Sequence, residues 1–219
     1  EWGAKRAANG HPEPYNVKYW SIGNENYGSW ELGAKTVDEW GPLVCESAKL
    51  MRSVTKDAVL FAAANDDPGW SLPLLKKAGY LLDYISIHGY WDFMVNVNVP
   101  SPFLKCMMKT DAPEKQILRT INLLDEAGFG GGKVKIAFDE WNLKNWHHPG
   151  HGDIRGGFDI AARDGNDDNS LYTMSDALFS ACFLNSCLRH SDIVDIACFS
   201  PIVNTRGAIY VYDKGIKDC

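Results

Sequence analysis

Two glutamates, Glu25 and Glu140, each stand at the end of an apolar run that reads as a buried strand. The runs are Tyr19-Trp20-Ser21-Ile22-Gly23-Asn24-Glu25 and Ile136-Ala137-Phe138-Asp139-Glu140-Trp141-Asn142. In a parallel barrel the C-terminal strand ends open on one common face, where active sites sit. Two carboxyl groups brought there from separate strands could flank a single bond. One would donate a proton and the other would attack, the arrangement that retaining hydrolysis of a glycoside requires.

The elements that must position these residues alternate along the chain. Strand signals cover Val17 to Ile22, Val59 to Ala64, Asp83 to His88, Val134 to Phe138 and Ile193 to Phe199. Between them lie four helical segments. Thr36-Val37-Asp38-Glu39 is a capping-box pattern, followed by Trp40, Leu43, Val44, Ala48 and Met51 at helical spacing. Ser71 to Ala78 is the second helix, stopped by Gly79. Asp111-Ala112-Pro113-Glu114 opens the third, with Ile117, Leu118, Ile121 and Leu124 on its buried face. Met174, Leu178, Ala181, Cys182 and Asn185 line the fourth. Five strands alternating with four helices predict a parallel α/β sheet. Five strands do not close a barrel of eight, so the alternatives are part of a (β/α)8 TIM barrel or an open sheet.

Composition excludes some classes. The net charge is −6 and no lysine/arginine cluster stands out, so no nucleic-acid partner is expected. No apolar run reaches the length of a membrane span. Eight tryptophans and nine tyrosines suit both core packing and sugar rings, and packing is the expectation for Trp20 and Trp141. The six cysteines lack C-x-x-C spacing and several fall in apolar segments, which points to reduced structural thiols and a cytoplasmic setting. The chain opens on Glu1-Trp2-Gly3 with neither methionine nor leader, as the interior of a longer protein would. The polar stretch from Leu143 to Asn169 reads as a lid over a pocket. Its run His147-His148-Pro149-Gly150-His151-Gly152-Asp153 matches no strong metal motif, and no metal is expected. Asp66-Asp67 and Asp167-Asp168 read as solvated turns.

Lys18-Tyr19-Trp20-Ser21-Ile22-Gly23-Asn24-Glu25 resembles the Asn-Glu signature that ends the fourth strand of clan A glycoside hydrolases. Phe138-Asp139-Glu140-Trp141-Asn142 is similar to the seventh-strand signature of glycoside hydrolase family 51, the α-L-arabinofuranosidases. Tyr84-Ile85-Ser86-Ile87-His88-Gly89-Tyr90 resembles that family's sixth-strand element, and Phe199 to Gly207 its eighth. The resemblance implies that residues 1–219 are a partial TIM-barrel catalytic domain covering strands four to eight, without the N-terminal strands and the C-terminal β-sandwich. It also implies a retaining enzyme that releases terminal α-L-arabinofuranosyl groups from plant cell-wall polysaccharides or oligosaccharides and needs no cofactor. The alternatives are an endo-β-glucanase or xylosidase on the same scaffold, or a non-catalytic fragment.

By the same resemblance Glu25 is the general acid/base, with a pKa raised so that it holds its proton, and Glu140 is the nucleophile. Asn24 contacts the sugar 2-hydroxyl, Tyr90 holds the nucleophile, His88 orients the acid/base, and Trp146 is an aglycone platform. Ser200-Pro201-Ile202 departs from the family's eighth-strand glutamine, and Lys144 stands where many members carry an aromatic. A homo-oligomer or a complementing chain is the expected partner.

Overall fold

The computed structural model describes residues 1–92, 101–144, 172–203, 209–212 and 215–218. Five strands form one sheet: β1 (Tyr19–Ile22), β2 (Val59–Ala63), β3 (Tyr84–Asp92), β4 (Lys135–Lys144) and β5 (Val194–Phe199). Their order in the sheet is their order in sequence, and every pairing is parallel. A doubly wound sheet reverses strand order at a switch point. None occurs here, which is the wiring of a barrel segment and decides against the open-sheet alternative.

Helices fill the crossovers: α1 (Trp2–Ala8) precedes β1, and α2 (Val37–Val54), α3 (Pro68–Ala78), α4 (Phe103–Met107), α5 (Ala112–Glu126) and α6 (Met174–Arg189) follow in turn. The capping box that starts α2 is present, with Thr36 N donating to Glu39 Oε2 at 2.8 Å. α3 begins three residues earlier than expected. Asp67 is its N-cap and accepts from Gly69 N at 3.0 Å, and Pro68 supplies the preset φ of a first helical position. Asp66 holds Arg119 in an ion pair at 2.5 Å. These two aspartates are therefore structural rather than merely solvated. Asp111 precedes α5 without a side-chain cap bond and pairs with Lys115 instead.

The core lies between the sheet and the helices, with Leu60, Ile85, Ile87, Ile136 and Phe138 of the strands packed against Trp40, Leu74, Leu75, Ile117, Leu124, Phe179 and Phe183 of the helices. Several expected helix faces are rotated. On α6 the buried apolar side chains are Phe179, Phe183 and Cys187, while Met174, Leu178, Ala181 and Asn185 are exposed and Cys182 is half-buried. This helix is apolar on more than one stripe, and the phenylalanine stripe wins because it meets aromatic partners. Phe183 stacks on Trp141 at 3.9 Å between ring centroids, and Phe179 packs on Trp91. Leu43 of α2 and Leu118 of α5 are likewise exposed.

Trp141 is core, as its stacking shows. Trp20 is not: it is 44% exposed on β1, which pairs only with β2 among the described residues. The antiparallel hairpin of β6 (Ile209–Tyr212) and β7 (Gly215–Asp218), α1 and α4 went unread in the sequence. Cys45, Cys106, Cys182, Cys187 and Cys198 are free thiols. Among the described residues no helix is long and apolar enough to cross a membrane. Trp146, the His147–Asp153 run and Asp167-Asp168 lie outside the described residues.

Candidate active site

The turn after β1 is built around Gly23 and Asn26. Gly23 has φ +75, and a Cβ there would collide with Asn26 Oδ1 and the Trp40 ring. Asn26 is buried; its Oδ1 accepts from Asn24 N at 3.0 Å and its Nδ2 donates to Gly33 O at 2.7 Å. The turn delivers Glu25 in a left-handed conformation at φ 41. That conformation is costly for a glutamate and is a kind of strain that concentrates at functional sites.

The second carboxylate arrives from β4. Across the β3–β4 pairing Ser86 faces Ala137 and His88 faces Glu140, so β4 carries one residue more than β3 over that interval. This bulge locally breaks the alternation of side chains and places His88 and Glu140 as cross-strand neighbours. β4 is irregular again between Phe138 and Trp141 where it meets β5.

Glu25, His88 and Glu140 thereby converge. His88 Nδ1 lies 2.8 Å from Glu25 Oε1 and 3.4 Å from Glu140 Oε2. The three facing atoms are all within 4.8 Å of one another. The Tyr90 hydroxyl donates to Glu140 Oε1 and lies 3.2 Å from Ser200 Oγ. An imidazolium between two carboxylates accounts for this oxygen–nitrogen–oxygen group as an ion-pair cluster.

Asn24 is adjacent in sequence but exposed, and its amide donates to Glu31 Oε1 at 3.3 Å. The structure thus brings together four of the six expected site residues, Glu25, Glu140, His88 and Tyr90. It leaves Asn24 at the rim, and Trp146 falls outside the described residues.

Electrostatics revise one expectation. Burial lifts the Glu25 carboxyl, but hydrogen bonds from His88 and Trp30, with the His88 charge, outweigh it and leave the group below its ordinary value. Burial alone would lower the His88 imidazole, yet the Glu25 hydrogen bond and the charges of Glu140 and Asp139 hold it above its ordinary value. The environment therefore favours an ionised Glu25 and a protonated His88, opposite to the raised Glu25 that was expected. The physical reason is the 2.8 Å contact, which the local sequence around Glu25 does not contain. Burial also raises the Tyr27 hydroxyl, with Glu25 and Glu140 adding to the effect, so Tyr27 stays neutral beside the pair.

Trp30 was missed. Its indole N–H donates to Glu25 Oε2 at 2.6 Å while its side chain remains 58% exposed. Four residues of irregular loop separate it from Glu25, and no periodicity links them. Asp139 and Ser86 were also missed: Ser86 Oγ donates to Asp139 Oδ1 at 2.7 Å, next to His88 Nε2.

Residues 1–44 match the model of the alpha-L-arabinofuranosidase 1 domain, and residues 139–217 that of the alpha-L-arabinofuranosidase C-terminal domain. The intracellular exo-α-(1→5)-L-arabinofuranosidase 1 of Bacillus subtilis is 32% identical over 220 residues, 98% of this chain and 43% of its own length. The α-L-arabinofuranosidase of Thermotoga maritima, solved with arabinose, superposes with a TM-score of 0.78 at 30% identity, over 98% of this chain and 40% of that one. The GH51 α-L-arabinofuranosidase of Thermotoga petrophila superposes with the same score, identity and coverage.

Over nearly its whole length the chain is similar to α-L-arabinofuranosidases of glycoside hydrolase family 51. It spans less than half the length of these relatives. Its five-stranded sheet is part of the family's TIM barrel. The matches cover both strand ends that carry the glutamates, since Glu25 falls in the first matched segment and Glu140 in the second.

Proposed function

We propose that the protein to which this chain belongs is a retaining α-L-arabinofuranosidase, with Glu140 as nucleophile and Glu25 as acid/base. The observation that carries this reading is the convergence of the two carboxylates, with facing atoms within 4.8 Å and His88 between them. Retaining glycosidases hold their carboxyl groups about 5–5.5 Å apart, whereas inverting ones leave about 6.5–9.5 Å for a water. The short spacing therefore supports direct attack by Glu140.

In the first step Glu140, oriented by the Tyr90 hydroxyl, attacks the anomeric carbon. The proton passes first from His88 Nδ1 to Glu25 Oε1, 2.8 Å away, and the departing oxygen then takes it from Glu25. The glycosyl-enzyme ester removes the negative charge at Glu140. In the second step a water attacks the anomeric carbon, its proton passes to the Glu25–His88 pair, and Glu140 leaves as a carboxylate. One proton is used and one returned. The pair thus acts as a single acid whose apparent pKa belongs to both groups. Asn24 contacts the sugar 2-hydroxyl by exchanging its exposed bond to Glu31, and Trp146 is the aglycone platform. Release of terminal arabinofuranosyl groups and a cytoplasmic location are supported by the names of the relatives, several of them intracellular exo-α-(1→5)-L-arabinofuranosidases; arabinan and arabinoxylan are the polymers proposed to carry those groups.

The test is hydrolysis of an aryl α-L-arabinofuranoside by this chain and by Glu25→Ala and Glu140→Ala. Each variant is expected to lose roughly 10²–10⁴-fold in kcat/KM or more. Azide should rescue Glu25→Ala with an activated substrate and yield the glycosyl azide of the substrate's own anomeric configuration. Full activity in either variant would contradict the assignment. An inactive parent chain would make these residues part of an enzyme that needs further chain to work.

A further inference from the structure

Asp139 and Glu140 are consecutive on a strand, where alternation would point their side chains to opposite faces. The bulge of β4 against Ser86–His88 lifts that constraint. Asp139 Oδ1 accepts from Ser86 Oγ at 2.7 Å and lies 3.6 Å from His88 Nε2, with Ser86 Oγ itself 3.5 Å from Nε2. The other ring nitrogen, Nδ1, faces Glu25 and Glu140. The imidazole is therefore held edge to edge between two acidic walls, with only 7% of its side chain exposed.

A buried imidazolium has two N–H groups to satisfy, and leaving either without an acceptor is costly. Glu25 and Glu140 serve one; among the described residues Asp139 and Ser86 face the other. We propose that Asp139, braced by Ser86, is a positioning residue that fixes the His88 ring and keeps its Nδ1 proton presented to Glu25. This rests on the catalytic reading above. It adds a second acidic partner, behind the histidine, that determines where the acid/base proton is stored.

The groups facing His88 can be named by element. Glu25 comes from the turn after β1, Ser86 from β3, and Asp139 and Glu140 from β4; Tyr27 acts on Glu25 and Tyr90 bonds Glu140. Cys198 of β5 lies behind Asp139. Gln116 of α5 donates to the His88 main-chain oxygen at 2.8 Å and carries no charge. The carboxyl side chains of this set are those of Glu25, Glu140 and Asp139, and Asp139 is the one the double displacement does not otherwise use. Burial raises the Asp139 carboxyl, with the Ser86 hydrogen bond and the His88 charge opposing that rise.

Asp139→Asn preserves shape and removes the charge. The imidazole nitrogens of His88, assigned by their disappearance in His88→Gln, report its titration by NMR in the intact chain whether or not that chain turns over substrate. The His88 pKa is expected to fall by about one unit in Asp139→Asn, and Asp139→Glu to recover part of the shift. In an active preparation the alkaline limb of kcat/KM should move to lower pH by a similar amount. Should Asp139→Asn fail to fold, Ser86→Ala weakens the same contact and should shift His88 in the same direction. An unmoved His88 titration in a folded variant would overturn the proposal, and so would lost activity with an unmoved pH profile. A shifted His88 in a chain whose full-length form gives no arabinofuranoside hydrolysis would support the Asp139–His88 coupling and refute the catalytic reading instead.

Discussion

At the scale of single residues, the family resemblance expects a raised Glu25 carboxyl, whereas the His88 contact lowers Glu25 and raises His88. Glu25, Glu140, His88 and Tyr90 were legible because each closes or follows an apolar strand run with a recognisable signature. Trp30, Ser86 and Asp139 were not. Trp30 reaches Glu25 through an irregular loop, and Asp139 reaches His88 only because a bulge upsets the two-residue alternation. Gly23 belongs to this scale as well, since its side of the turn is filled by Asn26 and Trp40. Gly23→Ala should cost about 1–3 kcal/mol through positive φ and collision, read as a lower urea midpoint. Because Asn26 also holds the backbone of Asn24, activity should fall further than stability alone explains. An unchanged midpoint would mean that the turn relaxes without strain.

At the scale of elements, strands were easier to read than helix faces. Each of the five strands lies where β-rich runs predicted, although β3 and β4 extend to Asp92 and Lys144. Polar residues such as Asp139, Glu140 and Asn142 look like the end of a strand when only apolar pattern is followed. The face of α6 was misread because leucines and phenylalanines form competing stripes, and only the position of Trp141 decides between them. α6 is tied to α5 by Glu114, which accepts from Arg189 Nε at 3.1 Å and pairs with His190 Nε2 at 2.6 Å. The Arg189 hydrogen bond holds the Glu114 carboxyl down at about 2, with His190 and Ser186 adding to it. A depressed carboxylate stabilises the fold above its unfolded value and loses that contribution as pH falls through the folded one. Glu114→Gln should therefore cost about 1 kcal/mol near neutral pH, allowing for the exposure of Arg189. The difference from the parent should vanish as pH drops from about 4.5 towards about 2, followed by denaturant titration at each pH. A difference that persists at the lowest pH would assign the effect to packing instead.

At the scale of the whole molecule, sequential strand order identifies the barrel, and the open edges distinguish this chain from a closed one. Among the described residues β1 and β5 each pair on one side only. Tyr19 and Trp20 on β1 are 55% and 44% exposed, and Leu184 and Leu188, one turn apart on α6, are exposed as well. Unpaired strand edges beside apolar surface favour association. Sedimentation equilibrium should show an average mass that rises with concentration; a single monomeric species throughout would show that the edges are adequately protected.

The central claim, that Glu140 forms a glycosyl-enzyme while Glu25 manages the proton, is tested most directly by trapping that ester. With an arabinofuranoside whose leaving group needs no acid, Glu25→Ala should form the ester faster than water can remove it. Mass spectrometry of a rapid digest should then find one arabinosyl group on the peptide carrying Glu140, absent when Glu140→Ala is added. An arabinosyl group on any other residue, or turnover by Glu25→Ala that inverts the anomeric configuration, would contradict the account.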